Sequence, residues 1–262
     1  MRSMRPGFET SLIIYPRGAR RKTSEILRFA QNETEHAING DKPINAIESF
    51  AMNRCISLAV MTCSLLYASL LHAEPKAILV FGDSLSEGFM LKHSEAYPAL
   101  LAKKLRAAGL NFSVTNASAT GGTTDGGLER LPAHLKHRID ILILELGIND
   151  AFRGLPIDQI QSNLQQIIDK VKAKNPNARV VIAGIQLPGY AADDYVSAFG
   201  QMFADLVAKN RAALVPYLLE GVAGNPSLNL SDGIHPNAAG QKVLAENVWR
   251  VLEPLAREVA AR

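Results

Sequence analysis

The chain has 262 residues, 47% of them hydrophobic and 20% charged, enough for one sizeable domain with appendages. Its net charge of +3 sits wholly in residues 1–73, which hold 9 Lys/Arg against 6 Asp/Glu, whereas residues 74–262 hold 19 of each. That balance, with no basic run interleaved with aromatics, argues against a nucleic-acid partner. Both cysteines, Cys55 and Cys63, precede residue 74, so the body of the chain has no disulfide, no cysteine nucleophile and no thiolate metal site.

Met52-Asn53-Arg54 is followed by an uncharged, mostly apolar run over 55–71, then by His72-Ala73 and the polar Glu74-Pro75. A basic start, an apolar run and a small residue before a polar turn read as a secretory signal peptide cleaved after Ala73. The expected location is therefore periplasmic or secreted. The competing reading is an uncleaved anchor, because the run is about as long as a marginal membrane span. Membrane contact would then be made only through this leader. A lipid attachment at Cys63 is disfavoured, since Met61-Thr62 match the required small residues poorly. Residues 1–51 are polar and irregular, and Arg20-Arg21 has no apolar run close behind it. The expectation is that translation starts at Met52, with 1–51 a mis-called or disordered extension.

From residue 74 onward, short apolar runs alternate with longer amphipathic stretches. Residues 77–81, Ala-Ile-Leu-Val-Phe, read as a buried strand stopped by Gly82. A helix is predicted over 96–108, with Leu100, Leu101 and Leu105 on one face and Gly109 closing it. A second strand follows at 112–115 and a helix at 128–135. Residues 139–146 are nearly continuous in Ile and Leu, as expected of a strand covered on both faces. The spacing of Ile160, Leu164, Ile167, Ile168 and Val171 predicts a helix over 157–171. A strand at 179–185, a helix at 195–209, a short strand at 213–217 and a final helix over 236–259, in one piece or two, complete the order. Strands alternating with helices imply an α/β fold, a five-stranded parallel sheet with helices on both faces. The predicted organisation is one domain over 74–262.

In such a sheet ligands bind at the carboxyl ends of the strands. Those ends hold Gly82-Asp83-Ser84-Leu85-Ser86, then Asn116 through Gly122, then Gly147-Ile148-Asn149-Asp150; Ser231-Asp232-Gly233-Ile234-His235-Pro236 precedes the last helix. Four separated segments thus bring a hydroxyl, a glycine amide, a carboxamide and an Asp/His pair to one edge. A serine hydroxyl is a poor nucleophile until a base takes its proton. His235 suits that task near neutrality. Asp232, three residues earlier, can hold the imidazole in one tautomer and stabilise its charge. The resulting oxyanion needs prearranged donors, for which the Ser84 and Gly121 backbone N–H groups and the Asn149 side-chain amide are the candidates. Glycine at 121 would let the backbone approach without a side chain in the way.

These four blocks, in this order over 77–255, resemble the SGNH (GDSL) hydrolase superfamily. Leu131-Pro132-Ala133, Leu144-Glu145-Leu146-Gly147 and Arg153-Gly154-Leu155-Pro156 are similar to its bacterial periplasmic thioesterase/lysophospholipase/arylesterase branch. The resemblance implies a three-layer flavodoxin-like fold and a Ser-His-Asp mechanism without metal or cofactor. It implies hydrolysis of carboxylic, acyl or aryl, esters, with thioesters and lysophospholipids as related substrates. Ile148 stands where that branch often has a second glycine, and Gly122 where it often has Asp. Neither change removes a catalytic group.

Other polar residues have plainer readings. Asp83 is expected to cap the turn after the first strand, and Asp150 to fix the loop after the third. His134 and His137 are three apart on a helix face but have no third ligand nearby, so a solvated face is expected. His93 is read as a surface residue, and Arg153 either meets a head group at the pocket rim or is solvated. The Gly-rich 121–127 lacks the Lys-Ser/Thr of a phosphate-binding loop. Two rival functions remain: a carbohydrate acetylesterase using the same machinery, and a non-catalytic binding domain of the same fold. The intact set Ser84, Gly121, Asn149, Asp232 and His235 speaks against the second.

Overall fold

The computed structural model describes residues 74–187 and 192–262. The expected extension over 1–51 and leader over 52–73 lie outside them. The described residues belong to the unit Ala73–Arg262. Five strands, β1 (Lys76–Gly82), β2 (Phe112–Asn116), β3 (Ile141–Glu145), β4 (Arg179–Ala183) and β5 (Ala213–Val215), form one sheet in the order β2-β1-β3-β4-β5. Every pairing is parallel. The α/β reading with a five-stranded parallel sheet is therefore correct, and the order is the flavodoxin-like one.

Seven helices are described: α1 (Ser84–Glu87), α2 (Tyr97–Ala107), α3 (Thr124–His134), α4 (Ile148–Phe152), α5 (Ile157–Lys174), α6 (Asp193–Asn210) and α7 (Ala238–Ala260). Helix α2 packs on α7, while α3 packs on α5 and α5 on α6. The chain runs outward from β1 to β2, then reverses past β1 to β3, β4 and β5. With right-handed crossovers that reversal puts the two helix groups on opposite faces of the sheet. The strand interiors are accordingly apolar on both sides: all five residues of β3 are buried, as are Ile78 to Gly82 in β1. Edge strand β2 alternates between half-buried and exposed positions until its last two residues, both exposed.

Helix α5 shows how pattern becomes packing. Ile160, Leu164, Ile167, Ile168 and Val171 recur at helical spacing and are 0–1% exposed, with Asp158 in the first turn and Lys172 and Lys174 in the last. Both charge placements favour the helix dipole. Helix α3 begins at Thr124, four residues before the sequence-based start. Gly126 and Gly127 mask its onset, but the Thr123 side chain caps it by accepting from Gly126 N–H at 3.2 Å. The last helix starts at Ala238 rather than 236, because Asn237 is its N-cap, and it continues unbroken through Pro254. The short helices α1 and α4 were not foreseen; each is a single turn that redirects the chain at a strand end.

The sheet order reverses between β1 and β3, and this opens a crevice at their carboxyl ends. Replacing Leu164, 1% exposed in the α5 seam, by Ala should cost about 2–5 kcal/mol, read as a lower urea midpoint at unchanged slope.

Candidate active site

The four blocks meet at that crevice. Ser84 opens α1, directly after β1, and is 8% exposed. His235 Nε2 lies 2.9 Å from Ser84 Oγ, and His235 Nδ1 lies 2.7 Å from Asp232 Oδ2. The other oxygen, Asp232 Oδ1, accepts from the Ile234 and His235 backbone N–H groups at 2.9 and 3.0 Å. Those bonds, the His235 backbone one foremost, pull the Asp232 pKa down to about 2. Asp232 is therefore an anion throughout the neutral range. The stability it contributes is present above the ordinary Asp value and is lost as pH falls through about 2.

The His235 segment is held by its backbone. Leu230 N–H donates to His235 C=O at 2.7 Å, Asn229 bridges to Pro236, and Asn237 N–H donates to Leu228 C=O at 2.9 Å. The Asn237 amide reaches back to Ser227 and Asn229 carbonyls while its oxygen caps α7 through Ala239 and Gly240 N–H. The imidazole also rests against Phe89, with ring centroids 4.3 Å apart. Nothing in the sequence pattern marked Phe89, which lies beyond the Gly-Asp-Ser block and comes back only through the tertiary fold.

The three candidate donors lie on segments tied together by hydrogen bonds. Ser84 N–H is at the first position of α1, where a helix leaves its amides unpaired. Gly121 sits in a turn closed by Gly122 N–H donating to Ala119 C=O, and Ala119 N–H in turn binds Gly82 C=O at 3.1 Å. Glycine at 121 also has a conformational reason. A Cβ there would meet no protein atom within 4 Å, but φ is +70°, a left-handed backbone that suits glycine. Asn149, in the first turn of α4, donates its amide to Asp83 Oδ2 and to Gly122 C=O, each at 3.0 Å. Both amide hydrogens are thus engaged, so Asn149 must share or exchange one bond to serve a further acceptor.

A second set of buried groups holds these loops together. Asp83 caps α1 through Leu85 N–H, as expected, and is fully buried. Gly82 pairs with Glu145 across the sheet, and a Cβ on Gly82 would lie 2.5 Å from Glu145 Oε2. Asp150 accepts from Thr124 N–H at 2.9 Å and from Thr124 Oγ1 at 2.6 Å, and Asn163 donates to that same Oγ1. Asp150 thus ties the 121–124 loop, which follows β2, to α4, a reach beyond the loop after β3 that the sequence suggested. Arg130 was missed: it stands 3.9 Å over the Phe81 ring and donates to the Gly82 and Ala117 carbonyls.

The remaining residues lie elsewhere. His134 packs edge-on against Phe81, and His137 is exposed. Among the described residues no three His, Cys, Asp or Glu side chains are arranged to hold a metal. Arg153 is exposed and reaches Gly121 C=O at 3.5 Å.

A hydroxyl, an imidazole and a carboxylate in line, beside backbone and amide donors at the switch point of a flavodoxin-like sheet, define a hydrolase of carboxylic esters. The comparisons agree. Residues 80–243 match the GDSL-like Lipase/Acylhydrolase family, and the chain belongs to it. It is 38% identical over 210 residues to "Esterase TesA" of Pseudomonas aeruginosa, covering 80% of this chain and 100% of that protein. It is 38% identical over 184 residues to "Thioesterase 1/protease 1/lysophospholipase L1" of Escherichia coli K12, covering 70% of this chain and 86% of that one. The solved structure titled "Crystal Structure of TesA" superposes with a TM-score of 0.65 at 42% identity, covering 69% of this chain and 99% of that chain.

Asp150→Ala would strand the buried Thr124 N–H and hydroxyl. It should lower stability by at least about 1–3 kcal/mol, measured by urea unfolding.

Proposed function

We propose that Ser84 is the nucleophile, His235 the general base and acid, and Asp232 the carboxylate that orients it. The observation that carries this reading is the Ser84–His235–Asp232 chain, with contacts of 2.9 and 2.7 Å. Ser84 Oγ attacks the acyl carbonyl as its proton passes to His235 Nε2. Asp232 holds Nδ1–H and stabilises the imidazolium. Charge develops on the carbonyl oxygen and is met by Ser84 N–H, Gly121 N–H and the Asn149 amide. Collapse expels the alcohol or thiol, which takes the proton from His235 and leaves an acyl-Ser84 ester. Water, activated by the same imidazole, releases the acid and restores Ser84.

The substrates are esters with apolar acyl or aryl groups, extending to thioesters and lysophospholipids. Among the described residues the exposed large hydrophobics are Met90, Phe152 and Ile234. Met90 follows Phe89, Ile234 precedes His235, and Phe152 is in the helix of Asn149, so all three adjoin site segments. An apolar surround favours an acyl chain over an acetylated sugar. The names of the related proteins, an esterase and a thioesterase/lysophospholipase, support the same class. The enzyme acts in the periplasm or outside the cell, a reading supported by the sequence pattern of 52–73. No described helix is long and apolar enough to cross a membrane.

The test is hydrolysis of p-nitrophenyl acetate, butyrate, octanoate and palmitate by the purified protein. Ser84→Ala and Asp232→Asn should each lower kcat by about 10⁴-fold or more with folding intact. The longer chains should be preferred to acetate. Full activity in Ser84→Ala would exclude the serine mechanism, and acetate-only activity would return the carbohydrate reading.

A further inference from the structure

Directly beneath Ser84 two carboxyl groups, Asp83 and Glu145, are both fully buried. Their surroundings differ. Asp83 accepts Leu85 N–H at 3.0 Å on one oxygen and the Asn149 amide at 3.0 Å on the other. It also feels the positive charge of Arg130, from α3. Glu145 receives everything on one oxygen: Asp83 N–H at 3.1 Å and Ser86 Oγ at 2.6 Å. Ser86 in turn contacts Tyr97 Oη, from α2, at 2.8 Å. The other oxygen, Glu145 Oε1, is buried and has no hydrogen-bond partner.

Two carboxyls this close in a dry interior do not both ionise. Each accepts two hydrogen bonds, but those of Asp83 fall on both its oxygens with Arg130 nearby, whereas Glu145 Oε1 has no donor, so the charge settles on Asp83 and the proton on Glu145. We propose that Asp83 is a positioning residue of the oxyanion site: backed by a proton-bearing Glu145, its carboxylate holds the Asn149 amide in place for the reaction. This rests on the assignment of Asn149 as an oxyanion donor. The pKa directions agree. Burial pushes Asp83 up, to about 6, which leaves it charged at neutral pH. Burial first, and the Asp83 charge second, push Glu145 well above the carboxylate range. The other charged group nearby is Glu87 of α1, which acts on Arg130. The Tyr97 hydroxyl is itself raised by burial and stays neutral.

An uncharged Gln at 145 reproduces the proton-bearing state. Its oxygen can accept from Ser86 and Asp83 N–H, and its NH₂ can take the place of Oε1 and face Asp83. An Asn at 83 cannot serve both Leu85 N–H and the Asn149 amide, because it has one acceptor oxygen where Asp has two.

The experiment compares kcat, KM and Tm for the wild type, Ser84→Ala, Asp83→Asn and Glu145→Gln between pH 5 and 8. Asp83→Asn should lower kcat by roughly 10–10²-fold, approaching the cost of a lost oxyanion donor, with KM nearly unchanged. Glu145→Gln should lower kcat far less. The folded wild type keeps a proton on Glu145 that the unfolded chain releases above its ordinary value, so wild-type stability falls as pH rises through this window. The Tm of Glu145→Gln relative to wild type should therefore climb with pH. A flat Tm difference, or an unimpaired kcat in Asp83→Asn, would overturn the inference while an inactive Ser84→Ala left the serine mechanism standing. An active Ser84→Ala would instead remove the mechanism on which it rests.

Discussion

The parallel pairing of β1 with β3, which sets Gly82 opposite Glu145, is the constraint on which the site depends. It brings the carboxyl ends of two strands together at the one place where the sheet order reverses. The chain leaves β1 into Asp83-Ser84 and leaves β3 through Gly147 into Asn149-Asp150. The nucleophile turn and the amide turn therefore start from adjacent, hydrogen-bonded positions. Gly82 admits the Glu145 side chain beside it, and a methyl group there would collide with both Glu145 and Ser86. Covering helices on both faces keep this junction dry, and dryness makes each hydrogen bond and charge in it count for more.

Around this junction the site is assembled from long-range ties rather than from one rigid element. Gln241 of α7 accepts from Tyr97 N–H and donates to Leu85 C=O, joining the last helix and α2 to the nucleophile turn. Asp150 holds the 121–124 loop, and Asn149 spans Asp83 and Gly122. His235 and Asp232 come from a separate turn that is more open, with side chains 19% and 35% exposed. The arrangement suits the proposed chemistry: Ser84 and the segments of Gly121 and Asn149 are tied to a buried frame, and His235 sits in a more open turn.

Much of this was legible in the sequence. The strands showed as apolar runs, α5 as a 3.6-residue periodicity, and the site as polar residues placed where strands end. Ser84, Gly121 and Asn149 fell after such ends and Asp232 and His235 before the last helix, and the fold brings their segments to one crevice. Less legible were features set by register and by contacts distant in sequence. Glu145 reads as the end of an apolar strand, and only its pairing with Gly82 places it under Asp83. Phe89 against His235, Arg130 over Phe81 and Asn163 on Thr124 join residues 146, 49 and 39 positions apart, which no local pattern reports. The onset of α3 was hidden because Gly126-Gly127 resembles a loop. The left-handed backbone at Gly121 was not foreseen because φ is not written in residue type.

In the proposed mechanism Ser84 becomes covalently acylated during turnover. The most direct test is labelling with a p-nitrophenyl alkylphosphonate, which leaves a stable adduct on an activated serine, followed by mass measurement of the intact protein and its peptides. One adduct per chain is expected, on the peptide holding Ser84, formed in step with loss of activity and absent in His235→Ala. Complete inactivation with Ser84 unmodified, or an adduct confined to another residue, would contradict it.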